Sequence, residues 1–152
     1  MLTEALRLDC AAFAASRFAL HGRCRLTLEG RALRVEASGP FNIEFVQALG
    51  RMLDAAARCL PEDGRFVEWV ALRDSLLMPP EAFELLRAYT LRAQRGGYRP
   101  QAMLLLVPAG TEGRELLLPR LQALWSASRP VQVFEDAAAA QAALQRRLAA
   151  FE

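Results

Sequence analysis

Two short segments carry polar side chains among turn residues, the pattern a binding site uses. The first is Gly110-Thr111-Glu112-Gly113-Arg114, which follows a strongly apolar run. A helix starting there offers unpaired N–H groups and the positive end of its dipole to an anion, and Arg114 adds a charge. Glu112 opposes an anion, and the segment matches neither the phosphate loop nor the dinucleotide fingerprint. An ordinary capped turn is the favoured reading. The second segment runs from Arg73-Asp74-Ser75 to Pro79-Pro80-Glu81. Its Leu76, Leu77 and Met78 are apolar residues in a presumed loop. Exposed, they make a partner-binding patch; buried, they cover one end of a sheet. Burial is expected for Leu76 or Leu77, and Met78 is open between the two. The candidate ligand-binding or interaction residues are therefore Arg73, Asp74, Ser75, Met78, Thr111 and Arg114.

Other reactive residue types form no set. A catalytic base needs a nucleophile and an orienting group, and nothing is spaced to supply them to the single His21. Glu68 beside Trp69 is a carboxylate inside an apolar run. Burial would raise its pKa, and an edge position or an Arg partner is the simpler account. Arg87, Arg92, Arg95 and Arg99 make a basic stripe diluted by Glu81 and Glu84, which reads as a solvated helix face. Cys10, Cys24 and Cys59 are far apart, with no CxxC pair, so neither a disulfide framework nor a zinc set is indicated. No catalytic residues, no metal and no cofactor are implied.

Composition narrows the class further. The 152 residues suit one domain spanning 1–152, with 1–16 as an N-terminal extension. A hydrophobic fraction of 53% and a charged fraction of 24% favour a packed core over disorder. The net charge of +2 argues against a nucleic-acid partner. All the basic residues are Arg, scattered along the chain, which fits a coding bias better than a phosphate site. Glu4, Arg7 and Asp9 interrupt the apolar start and break any signal-peptide core. Apolar runs such as 103–108 are too short to span a bilayer. The expectation is a cytoplasmic protein with reduced thiols and no stable membrane insertion.

The elements that must position these residues follow from periodicity. Residues 3–15 read as a helix capped by Thr3, with residues 13–20 open to a strand. Cys24, Leu26 and Leu28 alternate with polar residues, as do Leu33, Val35 and Ala37, on either side of Gly30-Arg31. That predicts a hairpin pairing Leu28 with Leu33, Leu26 with Val35 and Cys24 with Ala37, and setting Arg25 opposite Glu36 on the other face. Asn42 caps a helix running to about Leu60, with Ile43, Val46, Leu49, Leu53, Ala56, Ala57 and Leu60 as its apolar stripe. A buried strand is expected over 66–72 and a helix over 81–94, ended by Gly96-Gly97. A central strand covers 102–107. Thr111 caps a helix towards Trp125, kinked or restarted at Pro119. A last strand lies over 131–134, and Asp136 caps a final helix with Ala140, Leu144, Leu148 and Phe151 inward. Alternating strands and helices predict an α/β fold with a mixed, mainly parallel sheet, an N-terminal hairpin and four helices.

This order resembles the STAS fold of sulfate transporters and anti-sigma factor antagonists, in its SpoIIAA-like branch of small bacterial proteins. The residues that carry the resemblance are the hairpin 23–38 followed at once by the helix from Asn42, the strand ending Leu72-Arg73-Asp74, and Val131-Gln132-Val133-Phe134-Glu135-Asp136 leading into an Ala-rich helix. It covers roughly residues 17–150. The resemblance implies a non-enzymatic interaction or regulatory module, acting on an unknown protein partner or by self-association. The family's phosphorylatable Asp-Ser-Ser-Gly turn is replaced by Met78-Pro79-Pro80-Glu81, so the phospho-switch does not carry over, although Ser75 stands near. The alternative expectation is a small-ligand or lipid-binding protein, taking an anionic or lipid ligand in a pocket at the C-terminal ends of the parallel strands, near Arg73 and Thr111.

Overall fold

The computed structural model describes residues 4–15 and 17–152. Six strands form one sheet in the order β1-β2-β3-β4-β5-β6: β1 Leu6–Asp9, β2 Arg23–Glu29, β3 Ala32–Ser38, β4 Val67–Arg73, β5 Met103–Leu106 and β6 Val131–Phe134. The first three are antiparallel neighbours, and β3 to β6 run parallel. The four helices are α1 Ile43–Ala57, α2 Pro80–Arg95, α3 Arg114–Ser126 and α4 Ala137–Ala149. The α/β class with a mixed, mainly parallel sheet is as the periodicity predicts.

Alternation along the strands decides what each face meets. Leu26 and Leu28 of β2, Leu33 and Val35 of β3, Val70 and Leu72 of β4, and Met103 and Leu105 of β5 face a core shared with α1, α2 and α3. Trp69 and Ala71 of β4, and Leu104 and Leu106 of β5, face a smaller core closed by Ala140, Ala143 and Leu144 of α4. The central strands β4 and β5 are therefore apolar on both sides, as parallel strands between helix layers must be. The hairpin is amphipathic because α4 covers only the far half of the sheet. Its pairing is the predicted one, including Leu26 with Val35 and Arg25 with Glu36.

The start of the chain differs from the helix expected over 3–15. Leu6–Asp9 is an edge strand pairing antiparallel with β2, and Cys10–Phe13 is one 3-10 turn. Leu6 and Leu8 alternate with Arg7 and Asp9, and β2 presents an unpaired edge, so pairing wins over the helical propensity of the alanines. Asp9 then accepts a hydrogen bond from the Ala11 amide at 2.9 Å, and only one turn follows. The described residues among 13–20 contribute no strand. The expected cap Thr3 lies outside the described residues.

Two helix limits also move. The Asn42 side chain caps α1 as predicted, accepting from the Phe45 amide at 2.9 Å, but α1 ends at Ala57 rather than Leu60. Its most buried residues are Phe45, Val46, Ala48, Met52 and Ala56. Leu49 and Leu53 of the expected stripe are only half-buried, and Ala57 is exposed. Thr111 does not cap α3. Its hydroxyl donates to the Pro108 carbonyl at 2.8 Å, and α3 begins after Gly113, whose φ of 75° is left-handed. Pro119 sits within an uninterrupted α3.

Candidate functional site

The two candidate segments meet. Residues 73–79 leave β4 and residues 107–113 leave β5, both at the C-terminal ends of parallel strands, and a short parallel bridge joins Ser75 to Glu112. Ser75 is buried; its hydroxyl donates to the Glu112 carboxylate at 2.8 Å and accepts from the Leu77 amide at 3.1 Å. The Glu112 amide donates to the Asp74 carbonyl at 3.0 Å, and the Leu76 amide to the Glu112 carbonyl at 2.8 Å. The turn after β3 joins them, with Gly39 donating to the Arg73 carbonyl and Phe41 to that of Leu77. Asp74 holds a φ of 67° and accepts from the Ser38 hydroxyl.

Several of the candidate polar groups are engaged within the loops, while Arg73 and Asp74 stay exposed. Arg73 reaches Glu36 at 3.7 Å, and Arg114 binds the Val107 carbonyl and Glu135 at 3.3 and 3.1 Å. Thr111 is buried against its own turn. Leu76 is fully buried, while Leu77 is 38% exposed and Met78 half-buried. The three loops form a knitted rim. His21 is exposed at the end of the turn before β2, where its amide donates to Asn42.

The cavity lies elsewhere. Between the sheet and helices α1, α2 and α3 is a space of about 400 Å³. That is within the range of small-molecule sites, roughly 300–1,000 Å³. Its floor is the helix-facing row of the parallel strands, including Val35, Val70 and Met103; its walls include Leu49 and Leu53 of α1, Leu86 of α2 and Trp125 of α3. Most of this lining is apolar. Of the six candidate residues only Met78 borders it. Sequence periodicity assigns Leu49 and Leu53 to an inward stripe; they are inward and half-buried, packed against the core on one side and lining the cavity on the other.

Where the cavity reaches the surface is set by its exposed lining residues, Asp54 and Ala57 on α1 and Arg92 and Gly96 at the end of α2. Asp54 and Arg92 pair across this mouth at 3.0 Å, with the Arg92 guanidinium over the Tyr89 ring. Both charges are well exposed, so the pair contributes at most about 1 kcal/mol to stability. Beside it α1 and α2 approach closely, because Gly50 has no Cβ to collide with the Tyr89 ring. The remaining stripe arginines are exposed, Arg87 pairing with Glu84 at 3.5 Å.

A second polar group in the lining is buried instead. Glu68, at the start of β4, lies 3.1 Å from the Nε of Arg129, which immediately precedes the Pro130 turn into β6. Their side chains are only 8% and 4% exposed. The Tyr98 hydroxyl donates to the other Glu68 oxygen at 2.7 Å. Arg129 also donates to the Ser128 hydroxyl at 2.8 Å. Burial pushes the Glu68 carboxyl above its ordinary pKa, against the opposing pull of Arg129 and of the Tyr98 hydrogen bond. The Tyr98 hydroxyl is pushed well above its own ordinary value, by burial and then by the charge of Glu68. Glu68 Oε1 and Arg129 Nε are both buried and are each other's ion-pair partner at 3.1 Å, with no further group among the described residues bonded to either atom.

Glu68 is legible in the sequence as a carboxylate in need of a partner, and an Arg is that partner. Tyr98 and Arg129 are not legible as site residues. They lie 30 and 61 positions later, and only the parallel registry of β4, β5 and β6 brings the starts of those strands together. Among the described residues, no group of three or more His, Cys, Asp and Glu side chains is placed to hold a metal ion, and no helix is long and apolar enough to cross a membrane. Comparison of the chain with family models, curated proteins and solved structures finds no match.

Proposed function

We propose that this protein is a STAS-like binding module that acts by holding a small, largely apolar molecule between its sheet and helices α1–α3. The observation that carries the reading is the cavity itself. A space of about 400 Å³ lined mainly by apolar side chains leaves those side chains short of packing partners. A ligand restores those contacts. The hairpin followed by alternating helices and parallel strands supports the STAS-like assignment. The hydrogen-bonded loops at the strand ends support a rigid scaffold around the cavity rather than a second site.

The interaction-module reading retains one specific observation. Leu77 at 38% and Leu116 at 65% exposure are large apolar side chains at the same end of the sheet, on the β4–α2 loop and the first turn of α3. A protein partner or a second copy of the chain would dock there.

Titration with the neutral dye N-phenylnaphthylamine separates the two. The cavity reading expects dye fluorescence to rise on binding, and Val70→Phe, which fills the floor, to weaken binding at least tenfold without lowering the melting temperature. Unchanged binding in Val70→Phe, with loss in Leu77→Ser/Leu116→Ser, transfers the function to the exposed surface.

A further inference from the structure

Strand register brings two of the three cysteines together. β1 and β2 pair antiparallel from Leu6 with Leu28 to Asp9 with Arg25. The Asp9 backbone stays extended, at φ −117° and ψ 133°. One step further along the same register sets Cys10 opposite Cys24. Opposite residues of an antiparallel ladder stand about 4.5–5.5 Å apart at Cα, inside the roughly 4.4–6.8 Å that disulfides span. Both side chains also enter the same core. Cys10 follows Leu6 and Leu8, Cys24 precedes Leu26 and Leu28, and the two cysteines are only 1% and 2% exposed within one apolar cluster.

Neither cysteine lines the cavity. Both are free thiols with long S–H bonds, from Cys10 to the Phe45 carbonyl at 3.8 Å and from Cys24 to the Arg25 carbonyl at 3.9 Å. Burial pushes the Cys10 pKa up to about 11, and burial raises that of Cys24 as well, with the neighbouring Cys10 adding to the rise. The thiolate is the reactive form, so the pair is inert while closed. Access comes from position. β1 is a four-residue strand at the sheet edge beside β2. Its local opening exposes Cys10 while the central strands stay folded, because edges open at less cost than cores.

We propose that Cys10 and Cys24 are a redox-responsive pair, which a small disulfide of the glutathione class oxidises to a single disulfide that fastens β1 to β2. The exposed Cys10 gives its proton to solvent, and its thiolate attacks one sulfur of the small disulfide. A mixed disulfide forms and one small thiolate leaves. As β1 closes, Cys24 loses its proton and attacks the Cys10 sulfur, and the second small thiolate leaves. Two protein thiols are oxidised, one small disulfide is reduced, and the two released protons end on the two small thiols. The product ties down a strap that continues through the 3-10 turn Cys10–Phe13 to α1, where Arg51 donates to the Phe13 carbonyl at 2.8 Å.

The test is oxidised glutathione on the Cys59→Ser variant, which removes the exposed third thiol. Alkylation after denaturation counts the remaining thiols, and peptide mapping locates any bond. A monomer with no alkylatable thiol, no bound glutathione and a linked Cys10–Cys24 peptide is expected, returning to two thiols with dithiothreitol. The oxidised form is expected to melt about 5 °C higher, since the bond closes a loop of about 15 residues in the unfolded chain. Three results overturn the pairing: glutathione retained on either cysteine, disulfide-linked dimers alone, or both thiols still alkylatable under conditions that fully convert Cys59 of the wild type. A Cys10–Cys24 bond that leaves the melting temperature unchanged overturns the fastening of β1.

Discussion

The Nε of Arg129 lies 3.1 Å from the Oε1 of Glu68, with both side chains almost fully buried. Strand registry makes this contact: Glu68 pairs with Met103 across β4 and β5, and Met103 with Val131 across β5 and β6, so residues just ahead of those strands converge on one end of the sheet. An ion pair in this position stabilises little relative to well-packed apolar residues, yet each half is expensive to leave alone.

Removing one half should therefore cost more than removing both. Glu68→Leu strands a guanidinium that cannot give up its proton, and is expected to lose about 3–5 kcal/mol in denaturant unfolding. Arg129→Met leaves a carboxyl that can take up a proton. Arg129 holds the Glu68 pKa down against burial, so its removal lifts the folded-state value further above the unfolded one. The variant is then most stable below the ordinary carboxylate range, and loses stability as pH rises through the folded-state pKa. Its deficit should be larger at pH 8 than at pH 4. The triple variant Glu68→Leu/Tyr98→Phe/Arg129→Met should recover most of the loss. A triple variant as unstable as Glu68→Leu would show that the pair, not its uncompensated halves, supports the fold.

The knitted loops make a second prediction. A Cβ on Gly39 would run into the Ser75 carbonyl oxygen, which is backbone and cannot swing aside, and then into the Phe41 ring. A Cβ on Gly110 meets nothing within 4 Å. Gly39→Ala is expected to destabilise by about 3 kcal/mol, at the upper end of overpacking costs, and Gly110→Ala by less than about 0.5 kcal/mol. Thermal unfolding of the two variants beside the wild type reads the difference. Equal melting temperatures would mean that the β3 and β4 turns are not held against each other.

What could be read in the sequence follows from how local its cause is. The hairpin register was legible because apolar and charged pairings agree across one tight turn, Leu26 with Val35 and Arg25 with Glu36. The Asn42 and Asp136 caps were legible because a cap contacts an amide three residues on. The strand at Leu6–Asp9 was not: its stabilising partner is the edge of β2, some twenty residues away, and its neighbours are alanines that favour helix. Thr111 carries a side chain suited to capping, but the chain makes another turn before α3 begins, and the left-handed Gly113 takes that place. Turn chemistry points to residues 73–81 and 110–114, where the structure spends the polar groups on joining loops. The cavity is illegible because helical spacing marks Leu49, Leu53 and Leu86 as inward whether the core they pack against is closed or leaves a space beside them.

The most direct measurement is a methyl NMR map of bound N-phenylnaphthylamine, whose rings shift nearby methyl signals. Large shifts are expected at Leu53, Leu86 and Met103, which line the cavity, and none at Leu104 of β5 and Leu144 of α4, which pack together on the opposite face of the sheet. Shifts centred on Leu77 and Leu116, or no shifts at all at saturating dye, would contradict a binding cavity beneath α1–α3.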